Sequence, residues 1–354
     1  DIVCSYGLKS DWNLIFKNLL SDDIIGWWKC GRIKRGLSKP KEDVPIYFYL
    51  CGIIQIDLKL LCNEMIKCSS SSFSSIVKQE LNQERQSLEP IDIIQNIENQ
   101  VQLKNLIDYN ERDTFFVLKL LEKFSFIPLT IQLANLSGCP WGKVLQSLTN
   151  LRCEWLFMHT FSSLDYIIPD KILHDQLQKK TIGYKGGLVL EPKKGFYDNC
   201  VVLLDYNSLY PSVICEFNIC FTTLRNFEIV DDDCERIKIA NKTKTSEIHG
   251  VLPLIMKKLL YARKDVKNSI LKSDNELIKA RLTIKQKAIK ILTNAMYGYL
   301  GYPYSRFSAK HIAEMITSLG RYILTETVNK ITKYGYNIIY GDTDSVMVLS
   351  NTKD

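Results

Sequence analysis

No apolar run in this 354-residue sequence is long enough to cross a bilayer. The longest, Val44 to Ile54, has eleven residues against the ~20 a spanning helix needs, and it reads as a buried strand. There is no basic stub followed by an apolar stretch and a small-residue cleavage site, so no secretory signal is visible. There is no CxxC pair among the eleven cysteines, whose tightest spacings are Cys62/Cys68 and Cys215/Cys220. That argues against a zinc ribbon and for reduced, mostly buried thiols of an intracellular protein. Nor is there a repeat period or a shortage of apolar residues, which make up 46% of the chain. A collagen-like fibre, a disordered tail and a disulfide-stapled miniprotein are thereby excluded. The length suits two or three domains. The first residue is Asp and not Met, which reads as a piece cut from a longer chain.

Charge is present but unevenly placed. The net formal charge is +7, and the stretch from Lys257 to Lys290 holds eleven basic and three acidic residues, so the remainder is close to neutral. A solvated helix face explains such a block by itself. Its neighbours are what give it meaning.

The first ~125 residues alternate short apolar runs with charged ones. Gly52 to Asp57 reads as a strand ending in a carboxylate, Ser69 to Ser75 as a loop and helix start, and Asp113 to Phe124 as helix. From Ile127 to Asp170 the pattern is helical and compact, punctuated by Pro140-Trp141 and Ile168-Pro169-Asp170. A second unit opens near Gly183. Gly187 to Leu190 and Val201 to Leu204 are expected to be adjacent strands, with Asp205 at the end of the second. Asp231 to Gly250 is polar and reads as a surface excursion. Two long antiparallel helices come next, Leu252 to Leu271 and Leu277 to Tyr297, divided by the capping sequence Ser273-Asp274-Asn275-Glu276. A further helix over Ala309 to Ile331 leads into a hairpin of Asn337 to Tyr340 and Val346 to Leu349, with two carboxylates in its Gly341 to Asp344 turn.

Carboxylates at the ends of neighbouring strands can converge on a hard divalent cation, which takes oxygen ligands and bridges to substrate phosphates. Asp342 and Asp344 in a hairpin turn are unremarkable alone; with Asp205 and the basic helices they make a candidate phosphoryl-transfer site. Lys290, Asn294 and Tyr297 share one helix face, as do Arg263 and Lys267 on the preceding helix. A cation, an amide and a ring in one stripe suit a triphosphate and a base. The same stripe also reads as an ordinary helix C-terminus capped by Gly298.

These residues resemble family B DNA polymerases. Asp205-Tyr-Asn-Ser-Leu-Tyr-Pro-Ser212 is similar to motif A (DxxSLYPS), Lys290-Ile-Leu-Thr-Asn-Ala-Met-Tyr-Gly298 to motif B (KxxxNSxYG), and Tyr340-Gly-Asp-Thr-Asp-Ser345 to motif C (YGDTDS). Tyr184-Lys-Gly-Gly187 fits the YxGG element between exonuclease-like and polymerase regions. Within the family, Gly187-Leu-Val-Leu-Glu-Pro192, Glu216-Phe-Asn-Ile-Cys-Phe-Thr-Thr223, Tyr304-Ser-Arg-Phe307 and Gly31-Arg-Ile-Lys-Arg35 resemble the eukaryotic branch that extends primase-made RNA primers.

The resemblance implies an α/β and α+β multidomain fold. An RNase H-like exonuclease-type domain would occupy 1–125, a connecting segment 126–182, the palm with its antiparallel sheet 183–250 and 307–354, and two-helix fingers 251–306. The thumb would be missing, and the isolated chain is expected not to polymerise. Asp205 and Asp344, with the carbonyl of Tyr206, would hold two Mg2+ ions, Asp342 supporting them. Backbone N–H groups at Asn207, Ser208, Leu209 and Tyr210, entering a short helix begun by Pro211, would meet phosphate oxygens. Arg263, Lys290 and Asn294 would grip the triphosphate, with Lys290 also protonating the pyrophosphate. Tyr210 would lie beneath the sugar and exclude a 2′-hydroxyl, and Tyr297 would pack on the nascent base pair. Ala295 stands where the family has Ser.

Tyr109-Asn-Glu-Arg-Asp113 fits the third exonuclease motif, YxxxD. Near the second, however, Tyr6 stands where Asn is usual and Asp11 follows Ser10 instead of an aromatic. Asp11, Tyr109 and Asp113 are therefore read as vestiges. The implied activity is template-directed DNA synthesis by a nuclear DNA-directed DNA polymerase acting in replication initiation and on the lagging strand. Its substrates would be dNTPs and primer–template DNA with RNA–DNA primers. Its partners would be primase and an accessory B subunit, docked through a C-terminal region outside this chain, with no membrane. The competing readings are a catalytically inactive polymerase-like nucleic-acid-binding scaffold and a proofreading polymerase of the delta type.

Overall fold

The computed structural model describes residues 2–21, 52–66, 68, 70–86, 100–146, 149–171, 183–224, 232–350 and 352. Gly31 to Arg35 and most of the Val44 to Ile54 run lie outside the described residues. No described helix is long and apolar enough to cross a membrane. The nine described cysteines are all free thiols, and burial pushes those of Cys4 and Cys62 up to about 12, out of the reactive range.

Two compact units form, one from residues 1–135 with 139–148 and the other from 136–138 with 149–354. In the first, β1 (Ile2–Ser5) and β2 (Ile54–Asp57) pair in parallel, Ile2 opposite Ile54. Between and after them come α1 (Leu8–Ser21), α2 (Leu58–Met65), α3 (Phe73–Ile76) with a π-turn over Val77–Leu81, α4 (Gln100–Lys123), α5 (Phe126–Ser137) and α6 (Trp141–Val144). The strand at Gly52 to Asp57 and the helix start in the serine cluster are both present. Asp57 Oδ1 caps α2 by accepting from Lys59 N and also takes Gly7 N, each at 3.0 Å, while Ser72 caps α3. Ile56, Leu61, Leu120 and Phe126 are fully buried in the core of this unit.

The second unit carries α7 (Thr149–Ser163), β3 (Val201–Asp205), α8 (Leu209–Glu216), α9 (Asp233–Lys244), α10 (Val251–Lys272), α11 (Glu276–Gly301), α12 (Lys310–Lys333), β4 (Asn337–Asp342) and β5 (Ser345–Leu349). The sheet order is β3-β5-β4, antiparallel throughout. Gly187 to Leu190 does not lie beside Val201 to Leu204. It runs along the far edge of β4, where Leu190 N donates to Gly341 O at 2.8 Å and Lys193 N to Ile339 O at 2.9 Å. Two β-rich runs close in sequence thus sit at opposite sides of the sheet, because β5 takes the centre and leaves each run one free edge.

Three further expectations change, and the expected cap between α10 and α11 is borne out and made specific. Asp231 to Gly250 is no excursion, since most of it is α9, with Arg236, Ala240 and Thr243 buried. The cap of α11 is Asn275, whose Oδ1 accepts from Leu277 N (2.9 Å) and Ile278 N (3.3 Å), while Ser273 closes α10. Gly298 caps nothing: α11 runs on to Gly301, because Tyr299 and Leu300 beyond it are fully buried and packing outweighs the glycine's cost. Likewise α8 begins at Leu209, so Pro211 stands inside its first turn instead of at its start.

The candidate nucleotidyl-transfer site

Strand register brings the carboxylates together. Asp205 ends β3 opposite Ser345, and Asp342 ends β4 opposite the same Ser345 from the other side, so the two flank one residue of the central strand. Asp344 immediately precedes it. The turn is Thr343-Asp344, and Thr343 takes a left-handed φ of 51°, an unusual conformation for a β-branched residue and one that collects at functional sites. Tyr206 N donates to Asp344 O at 2.8 Å, stitching the end of β3 to the turn. Thr343 Oγ1 donates to Asp342 Oδ1 at 2.9 Å, so Asp342 is already engaged within its own turn.

Burial, and then the charge of Asp205 ahead of that of Asp342, pushes the Asp344 carboxyl above the usual carboxylate range. Among the described residues neither Asp205 nor Asp344 joins an ion pair. Two carboxylates brought to neighbouring strand ends by backbone register offer the oxygen donors that a hard divalent ion takes, although among the described residues no group of three such side chains is gathered closely enough to hold one by itself; family B polymerases use such ions.

The basic side approaches through α8, α10 and α11. Ser208 opens α8 with a left-handed φ of 56°, and its Oγ accepts from Arg263 Nη1 at 3.4 Å. Arg263 Nε is buried and, among the described residues, has no partner, as expected of a guanidinium with an anion still to meet. Lys290 and Asn294 lie exposed on α11, and Tyr297, one turn further on, is half-buried. The rings of Tyr210 and Tyr297 meet at 4.5 Å, and the Tyr297 hydroxyl shares a hydrogen bond of 2.9 Å with Tyr184 of the Tyr-Lys-Gly-Gly segment. Burial first, then the charge of Asp344, raises the Tyr210 phenol.

The vestigial candidates each have an internal partner. Arg85 grips Asp113 with both carboxylate oxygens engaged, Nε at 2.8 Å and Nη2 at 2.6 Å, and its guanidinium stacks over Tyr109 at 5.3 Å. Ser5 Oγ donates to Asp11.

Composition and spacing did not single out Asp233 and Arg321. Asp233, at the start of α9, accepts from Arg321 Nη2 (2.7 and 2.8 Å), Arg236 Nη1 (3.1 Å) and Ser318 Oγ (2.7 Å). Burial alone would raise its pKa, but hydrogen bonds from Arg321 and Ser318 hold it down at about 2. Such a carboxylate stabilises the fold above its unfolded-state pKa, and that contribution is lost as pH falls from about 4 towards 2. Acid titration followed by circular dichroism should show Asp233→Asn less stable than the unsubstituted chain at pH 7 and the gap closing near pH 2. An equal gap at both ends would contradict this. The only hint in the sequence was an arginine at an inward position of a helix, where charge is rare.

The chain that carries this sheet, the flanking helix hairpin and the strand-end carboxylates belongs to DNA polymerase family B, whose model matches residues 139–354. More particularly, it is 36% identical to the DNA polymerase alpha catalytic subunit of Arabidopsis thaliana over 93% of this chain and 24% of that protein. It is 34% identical to that of Xenopus laevis, over 99% of this chain and 26% of the relative. The chain therefore spans about a quarter of the length of these curated relatives. Among solved structures, the family B DNA polymerase from the hyperthermophilic archaeon Pyrobaculum calidifontis superposes with a TM-score of 0.76 at 24% identity, covering 99% of this chain and 45% of that one. That likeness concerns the fold.

Proposed function

We propose that this chain carries the catalytic core of an alpha-type replicative polymerase, which adds deoxynucleotides to the 3′ end of an RNA or RNA–DNA primer under template direction. The observation that carries the reading is the register placing Asp205 and Asp342 on either side of Ser345, with Asp344 beside them and the orphaned Arg263 Nε buried nearby. Residues 183–250 and 307–354 serve as palm, 251–306 as fingers, 1–125 as an exonuclease-like domain and 126–182 as connection.

Asp205, Asp344 and the Tyr206 carbonyl would hold two Mg2+ ions, which when bound lower the pKa of the primer hydroxyl and offset phosphate charge. Arg263, Lys290 and Asn294 bind and orient the triphosphate, with N–H groups from Ser208 to Tyr210 adding donors at the start of α8. Lys290 supplies a proton to the departing pyrophosphate. Tyr210 closes the space where a ribose 2′-hydroxyl would sit. Arg85 on Asp113 supports loss of proofreading, because a carboxylate held bidentately by a guanidinium is a poor metal ligand. By relation to the alpha subunits, the protein works in the nucleus with primase and an accessory subunit.

The test is single-nucleotide incorporation by the full-length protein. Tyr210→Val should retain dNTP incorporation and lose roughly 10–100-fold of its discrimination against the matching ribonucleotide, the scale on which one apolar group sets selection. Unchanged discrimination would remove Tyr210 from that role, and no dNTP incorporation by the unsubstituted protein would sink the assignment.

A further inference from the structure

We propose that Arg321 and Asp233 are positioning residues for sugar selection: together they clamp the Lys185 and Gly186 carbonyls so that Gly187 is held against Tyr210 and Thr343. The inference rests on the polymerase reading above. Arg321 Nη1 donates to Lys185 O at 2.9 Å and to Gly186 O at 2.7 Å, while its other nitrogens engage Asp233. Thr317 Oγ1 adds a bond to Lys185 O at 3.0 Å. The Arg321 side chain is only 8% exposed, so its planar fork is set by packing as well as by partners.

Arg321 is the buried half of this ion pair and Asp233 the partly exposed one, and desolvating the arginine consumes much of what the attraction supplies. Apolar side chains would fill the space as well. They could not, however, fix two consecutive carbonyl oxygens. Fixing them matters because the next residue, Gly187, leaves no slack. A Cβ on Gly187 would lie 2.8 Å from Thr343 Oγ1 and 3.1 Å from the Tyr210 hydroxyl, so this backbone is a wall against both side chains. Thr343 N also donates to Leu188 O at 2.8 Å. Gly320, the residue before Arg321, is also so close that a Cβ there would meet Tyr210 Cε1 at 3.0 Å. Tyr210 is therefore closely approached by two glycine backbones, at its hydroxyl by one tethered to α12 by Arg321 and at its ring edge by one on α12 itself. Release of the tether gives the Tyr210 ring room to retreat, and ring retreat is what admits a 2′-hydroxyl.

The experiment measures, in the full-length protein, the ratio of kcat/KM for a dNTP to that for the matching rNTP, with melting temperature as a second readout. Asp233→Asn and Arg321→Lys should each lower the ratio about tenfold, chiefly through a lower KM for the ribonucleotide, as expected when ångström-scale positioning is lost. Glu314→Gln, which perturbs the same network through Arg236 (3.1 Å) without touching the clamp, should lower melting temperature and leave the ratio intact. If Arg321→Lys loses its fold, Ser318→Ala removes one bond to Asp233 (2.7 Å) and one from Arg321 Nη2 (2.9 Å), keeps the guanidinium and carries the same readout. Active variants whose ratio stays within twofold of the parent, with a thermal loss like that of Glu314→Gln, would overturn the clamp and leave the polymerase reading standing. An unsubstituted protein that incorporates neither nucleotide would remove the reading on which the clamp rests.

Discussion

Primer extension by the full-length protein carrying Asp344→Asn will fall by on the order of 10³-fold or more, yet the same variant without divalent cation will melt at a higher temperature than the unsubstituted protein. Both halves have one cause. Burial and the neighbouring Asp205 charge raise the Asp344 carboxyl, so its ionised form at neutral pH opposes folding. That penalty disappears as pH falls through the raised value, because the protonated acid is neutral. Asn is neutral at every pH. The stability gain of Asp344→Asn should therefore be present at pH 7 and vanish in acid, and it should shrink when Mg2+ or Mn2+ is added to the unsubstituted protein. Asp205→Asn should match it in lost activity. Full activity in either variant, or a variant less stable at pH 7 without metal, would contradict the arrangement described.

Phe157→Ala should cost about 3–5 kcal/mol of unfolding free energy, the range for truncating a buried aromatic residue. Phe157 of α7 is fully buried and meets Tyr299 of α11 edge-on at 5.4 Å and Phe307 at 5.6 Å. Beside it, Tyr299 donates to Glu154 at 3.3 Å, and Glu154 accepts from Arg306 at 3.3 Å. This cluster anchors the C-terminal end of α11, the helix that displays Lys290 and Asn294. Urea unfolding followed by fluorescence should show the midpoint moved with its slope kept, and Phe157→Leu should lose less. A loss under about 1 kcal/mol would mean that the site collapses around the missing ring.

Much of this was legible because the chemistry and its spacing are local. The helix hairpin showed in its periodicity, the β4–β5 hairpin in its apolar flanks, and the strand-end Asp205 in the four apolar residues before it. Long-range pairing was not legible. Nothing near Val201 says that its partner is Leu349, and nothing near Leu190 says that it pairs with Gly341. The α9 helix was missed because its face is mostly polar: it docks by a carboxylate among arginines, a pattern that looks solvated when read along the chain. Arg321 was missed for the converse reason, as a single charge within an otherwise ordinary helix.

Of the three described strands of this sheet, the central one, β5, is made after the other two. Asp205 waits for its partner Ser345 through about 140 residues of synthesis, on the order of ten seconds at ribosomal rates of ~5–20 residues per second. Through that interval β3, with side chains from Val201 to Leu204 at least 41% exposed even in the finished fold, has no strand to pair with in this sheet. Apolar strands with open edges invite the wrong neighbour. Nascent chains stalled between β3 and β5 should be the ones that bind chaperones or aggregate, and release should come as β5 clears the exit tunnel. The site thus assembles in one late step: no partially synthesised chain holds the paired carboxylates, and the like charges of Asp205 and Asp344 are not brought together until the sheet that bears them has closed.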